Sequence, residues 1–337
     1  MLLHLSAYLC FVSLLKEIEI TNELISKSPW IIIICTIFFF HTGSAESMLW
    51  AMASIQSSAV LALLVLTAYW LNHKSQYGWV IALLFSSLAP FAQGNGLLLP
   101  FLVAFYFAMN KKYWALLISI ILSLGHLAIF LSKPSSSEIQ ISFDQITSMM
   151  IFSFSFLGSA FSIGGNNFPT LTLISLIPSV TIGVLVWVVA IEGLIHQEEN
   201  ELKRVWRNPF FFMVIFFLGT SLLAALTRSQ FGLSQAMVSR YHIYSSFTLL
   251  SAGFLLISIK EKFQFLLKYR QYQIQVISAI SVILYLFSFI FFLHFYTRYY
   301  AGIRRQEILF PNREEAIQIL DQSTSKGIFM PFTNKKN

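Results

Sequence analysis

Long apolar runs recur along this chain, and they limit its fold more than any other feature. They fall at about residues 1–15, 30–42, 47–71, 79–109, 113–132, 147–163, 171–195, 209–226, 242–259 and 274–297. A backbone crossing about 30 Å of hydrocarbon needs roughly 20 apolar residues and must satisfy its own N–H and C=O groups, which a helix does internally. Charge is correspondingly scarce. Only 11% of the residues are Asp, Glu, Lys or Arg, against about 25% in a soluble domain. Together these observations predict an all-α, polytopic membrane fold with about 8–10 membrane segments. They place a transmembrane domain over residues 1–297 and a short external tail over 298–337. Within that tail, Glu314 to Leu320 patterns as a short amphipathic helix.

Three runs depart from the template of one helix per run. The first, MLLHLSAYLCFVSLL, is short and lacks the basic n-region and cleavage site of a signal peptide. The run 79–109 is too long for a single span and is interrupted by APFAQGNG, where Pro90, Gly94 and Gly96 disfavour a continuous helix. A hairpin of two short helices is expected there. The run 147–163, rich in Phe, Ser and Gly, reads either as a span or as a re-entrant or interfacial helix.

Basic residues set the sidedness. A net charge of +7 without a dense basic run argues against a nucleic-acid partner and for positive loops against anionic lipid on the cytoplasmic side. The segments NHKSQYG, NKKYW, HQEENELKRVWRN and KEKFQFLLKYRQYQ, with the loop from Lys16 to Lys27, form that side. Lys133, Arg228 and Arg240 are left for the opposite short loops. Cys10 and Cys35 lie in apolar runs without metal-like spacing and are read as buried thiols.

This topology gathers the polar residues of the apolar segments on the outer side: His41, Glu46, the Gln93-Gly94-Asn95-Gly96 turn, the Phe168-Pro169-Thr170 region and the loop TRSQFGLSQAMVSRY. Two readings of HTGSAES stand. In one it is a turn, with Ser44 as N-cap and Glu46 in a first helical turn that favours an anion. In the other, Glu46 is a carboxylate at the mouth of an external cavity with His41 as a proton-exchanging neighbour. A helix from Ser44 would align Glu46, Trp50, Ser54 and Ser57 on one face. Arg228 and Arg240 flank the later loop, with Gln235 and Tyr241 within or beside it. They read either as anchors for helix ends at the headgroups or as a bidentate clamp for the phosphate of a lipid-linked donor.

The stretch FFFHTGSAESMLWAMASIQSSAVLALLVLTAYWL resembles the Phe-x-His-Pro-x-x-x-Glu-x-x-x-Trp segment of GT-C-type membrane glycosyltransferases, notably the transmembrane O-mannosyltransferases with tetratricopeptide repeats and their bacterial relatives. SSLAPFAQGNGLLLPFLVAFYFAMNKKYW is similar to their helical hairpin, and LLHLSAYLCFVSLL to the helix before their histidine loop. TRSQFGLSQAMVSRY is similar to an Arg…Gly…Ser-Arg-Tyr loop in bacterial membrane proteins grouped with that class. The resemblance implies a multi-pass protein of a bacterial plasma membrane and cell envelope. It would take a sugar from a polyprenyl-phosphate carrier at the external face and pass it to a lipid, glycan or protein acceptor. A divalent metal is the cofactor implied.

The resemblance also implies roles: Glu46 in catalysis or acceptor orientation with His41 behind it; Arg228, Arg240 and Tyr241 on the donor phosphate; Trp50, Gln93, Asn95 and Gln235 lining the acceptor cavity. Departures are visible. Thr42 stands where the family has proline, and the hairpin turn is QGNG rather than Lys-Glu-x-Gly. The family's first helix and acidic loop have no counterpart in this sequence, so a truncated or inactive enzyme is also expected as a reading. Flipping of a lipid-linked glycan and glycan polymerisation or ligation are the competing functions.

Overall fold

A computed structural model of the chain describes residues 2–18, 21, 30–40, 51–132, 143–162, 169–195 and 207–259. Among these residues every regular element is a helix. In chain order they are α1 (Leu2–Glu17), α2 (Trp30–Phe39), α3 (Ala51–Asn72), α4 (Gly78–Ala92), α5 (Leu98–Met109), α6 (Tyr113–Leu131), α7 (Phe143–Leu157), α8 (Pro169–Ile195), α9 (Pro209–Arg228) and α10 (Ser239–Ile259). By length and composition, Tyr113–Leu131, Ser175–Leu194 and Pro209–Phe231 are sufficient to cross a membrane. All described residues belong to a compact unit, Met1–Phe289. The predicted tail helix and the segments after Ile259 lie outside the described residues.

The hairpin expected at 79–109 is present as α4 and α5, joined by a 3-10 turn over Gly94–Leu97. Its break lies slightly later than the proline suggests. Pro90 stays inside α4 and costs that helix one hydrogen bond near its end, and the chain turns only at Gln93, whose backbone is extended. Gly96 then folds back against α4 so closely that a Cβ would stand 2.1 Å from the Ala89 carbonyl oxygen. No larger residue fits there without moving backbone.

Contacts between helices define two ends of this bundle. At the first, the C-termini of α1 and α3 meet through Glu17 and His73, 2.7 Å apart, and Arg207 before α9 donates to Asn110 after α5 at 2.6 Å. Lys16, Lys74, Lys111, Lys112 and Arg207 belong to this end, so the parts of the grouped basic segments that lie among the described residues converge, while KEKFQFLLKYRQYQ lies outside them. At the second end lie the Gly94–Leu97 turn, the end of α9 and the start of α10.

The run 147–163 forms α7, which packs lengthwise along α8 and α9 and does not lie across an end of the bundle. It runs antiparallel to α8, because a Cβ at Gly158 would meet the Ser179 oxygen at 1.9 Å and one at Gly183 the Phe154 oxygen at 2.0 Å. Small residues thus let two backbones approach, as in membrane helix pairs. Ser153 and Ser221 share a 2.8 Å hydrogen bond that joins α7 to α9. At 1.5 Å per residue the helix is about 22 Å long, short of a full hydrocarbon crossing.

Phenylalanine fills the centre. Phe11 of α1, Phe39 of α2, Phe210 of α9, and Phe247 and Phe254 of α10 are all buried. Phe210 stacks on Phe254 with centroids 5.1 Å apart, and Phe11 packs against Phe254 at 5.9 Å. The entry into α9 is set locally, with Asn208 accepting from the Phe210 N–H and Pro209 at the first helical position. By contrast α6 buries only the small residues Ala115, Ser119 and Ser123, one per turn, and exposes Leu117, Ile121, Leu124 and Phe130. Both cysteines are free; Cys35 is buried and Cys10 half-buried.

Candidate functional site

Tyr244, one and a half turns into α10, organises the second end. Its side chain is fully buried, and its hydroxyl donates to Oε1 of Gln93 in the hairpin turn, 151 residues away in sequence. The side chains of Ser57 on α3 and Asn95 in the turn approach the same hydroxyl. Nevertheless neither amide atom of Asn95 completes a well-formed hydrogen bond, although both are shielded from solvent. Three segments far apart in sequence therefore meet at one phenol.

Nearly one turn earlier on α10, the ring of Tyr241 carries the guanidinium of Arg228, 5.6 Å from its centroid. This cation–π contact holds the arginine at the end of α9. Phe156 of α7 supports Tyr241 from another side at 4.9 Å. The loop between α9 and α10 consists of two 3-10 turns, Ser229–Phe231 and Leu233–Met237. They are hinged at Gly232, whose φ of 92° is open to glycine and strained for other residues. Gln235 sits half-buried in the second turn.

Beside this arrangement, Nε2 of His242 lies 3.0 Å from Ser162 Oγ and 3.2 Å from the Met237 carbonyl oxygen. Ser245 donates to the Leu157 carbonyl and accepts from the Ala160 N–H at 2.9 Å. These bonds fasten the end of α7 to α10 and keep the α9–α10 loop seated.

Of the residues singled out from sequence, the structure brings Gln93, Asn95, Arg228 and Tyr241 to one end, around Tyr244. Arg240 is the second residue of α10; its side chain lies outside the described residues, as do His41, Glu46 and Trp50 entirely. Tyr244, His242 and Ser162 were not singled out. A signal for Tyr244 does exist, since it stands three positions after Tyr241 and a helix puts both on one face. Ser162 and His242 are 80 residues apart and leave no comparable local sign.

Chemically, the described part of the site binds and orients. Arg228 supplies positive charge, and Gln93, Asn95 and Tyr244 supply neutral donors and acceptors. Glu17 and Glu192 are the carboxylates among the described side chains, and both lie toward the opposite end. Among the described residues no three His, Cys, Asp or Glu come together as a metal-binding group. The divalent metal implied by the resemblance has no ligand set among the described residues. No family model matches this chain, and neither a curated protein nor a solved structure is found to match it.

Proposed function

We propose that the chain is a multi-pass protein of a bacterial plasma membrane that binds a polyprenyl-phosphate-linked sugar at the second end and transfers the sugar in the manner of GT-C enzymes. The observation that carries this reading is the convergence of the Gln93–Tyr244 contact with the Arg228–Tyr241 contact. It puts a cation suited to a lipid phosphate beside neutral amides suited to a sugar. Three helices of spanning length support the membrane setting.

In this reading Arg228 and Arg240 hold the phosphate, and Gln93 and Asn95 face the sugar. An acceptor hydroxyl attacks the anomeric carbon, the bond from that carbon to the phosphate oxygen breaks, and polyprenyl phosphate leaves. Glu46 takes the acceptor's proton.

Membranes carrying the full chain, incubated with a radiolabelled polyprenyl-phosphate hexose, test the reading. Label is expected to move from the donor to a membrane acceptor. Glu46→Gln and Arg240→Ala each abolish the transfer while the protein still inserts. Wild-type transfer by both variants would overturn the assignment. Intact donor that has only changed leaflet would replace transfer with flipping.

A further inference from the structure

Several shielded polar groups among the described residues are easily accounted for. The hydroxyls of Thr220, Ser246 and Ser251 lack partners, but each sits on a helix where a rotation about χ1 lets it bond back to the preceding turn. Asn95 differs. Its amide carries a double acceptor and two donors, and both heavy atoms are shielded although neither completes a well-formed hydrogen bond, the approach to the Tyr244 hydroxyl included. The cost is borne in the turn beside Tyr244 and Gln93, not in an element that packing alone would dictate. Asn95 as a whole is half-buried, so its turn borders the surface at this end of the bundle.

The geometry points to Asn95 as the residue that reads a vicinal diol on the sugar of the lipid-linked substrate, an inference that rests on the function proposed above. A primary amide presents its N–H and C=O side by side, so it is answered by a group offering an acceptor and a donor at adjacent atoms. Two hydroxyls on neighbouring ring carbons do this at once. A phosphate offers acceptors alone and an ammonium donors alone. The trans amide of an N-acetyl group points its N–H and C=O in opposite directions and can satisfy one side only. Tyr244 assists by tying up Gln93 through its Oε1, which leaves the Asn95 amide as the unmet group. Arg228 then holds the phosphate and Asn95 distinguishes what the phosphate carries.

The test uses the full chain in lipid nanodiscs and three probes: polyprenyl phosphate without sugar, polyprenyl-phosphate hexose, and hexose analogues each lacking one hydroxyl. The hexose lipid is expected to bind about tenfold tighter than the bare phosphate lipid, and loss of either hydroxyl of one adjacent pair removes that gain. Asn95→Ala removes the gain, leaves affinity for the bare lipid unchanged, and keeps or raises the melting temperature of the free protein. A gain that survives Asn95→Ala, or that depends on no adjacent pair, overturns the inference while leaving phosphate binding intact. A melting temperature lowered by Asn95→Ala makes the residue structural and overturns it too. Failure of the wild type to bind even the bare phosphate lipid overturns the proposed function, and the inference with it.

Discussion

The two ends of the bundle are fastened by different chemistry. At the basic end the contacts are charged and wet: His73 and Glu17 stand 2.7 Å apart with side chains 34% and 32% exposed, and the Arg207–Asn110 bond is also exposed. Apart from the Arg228–Tyr241 cation–π contact, the turn end relies on neutral, shielded contacts, with Tyr244 on Gln93 and Ser245 on the end of α7. Water screens a charged pair and supplies replacement partners when it breaks. A shielded neutral group has no such substitute. Breaking a single hydrogen bond should therefore matter far more at the turn end than at the basic end.

The sharpest way to break this asymmetry is to fill the space that lets the dry end close. Gly96→Ala places a Cβ against backbone, where nothing flexible can yield. Its expected cost lies at or above the top of the roughly 1–3 kcal/mol range for overpacking. Thermal unfolding of the purified protein in detergent reads it. Gly125→Ala on α6 is the matched control, because a Cβ there meets nothing within 4 Å. It should be neutral or stabilise by up to about 1 kcal/mol through helix propensity. Equal destabilisation by the two substitutions would show that the turn is looser than described.

Next in size is Tyr244→Phe, which removes the hydroxyl and strands the Gln93 oxygen at the same time. A loss of about 1–2 kcal/mol is expected, between the cost of an unsatisfied buried group and the smaller values typical inside membrane proteins. A double-mutant cycle with Gln93→Leu should show coupling, since the second change removes the stranded partner. Additive effects would mean that the two side chains do not depend on each other. Ser153→Ala is the milder version on α7, with an expected loss near 0.6 kcal/mol through the bond to Ser221.

Which of these features could be read from the chain follows from their range. The hairpin was legible because a run too long for one helix contained Pro90, Gly94 and Gly96, and local backbone restriction acts wherever the chain goes. Its exact break was not, because Pro90 close to a helix end removes a single bond and Ala92 still keeps the helical path. The ambiguity of 147–163 had a physical source as well. An apolar, serine-rich segment of that length suits a span or a surface equally, and only the backbone contacts at Gly158 and Gly183 decide that it packs inside. In the candidate site, Gln93, Asn95, Arg228 and Tyr241 stood out as polar groups beside apolar runs. That they share an end with Tyr244 is a property of the fold, since the hairpin turn and α10 are joined across 151 residues.

The smallest effect tests the other side of the comparison. Glu17→Gln at the basic end keeps the shape of the side chain and removes its charge, so in a buffer acidic enough to protonate His73 it isolates the ionic part of that contact. Exposed pairs of this kind contribute about 0.2–1 kcal/mol, less in salt. Tyr69 stacks on the His73 ring at 5.3 Å and interplanar 20°, so the imidazole keeps a packing partner after the charge is gone. Unfolding measured in low salt should show a small loss, and the difference from wild type should disappear as ionic strength rises. The contrast with Tyr244→Phe is then qualitative, because a dry, neutral bond has no reason to respond to salt. If both substitutions showed the same salt dependence, the assignment of one wet and one dry end would fail.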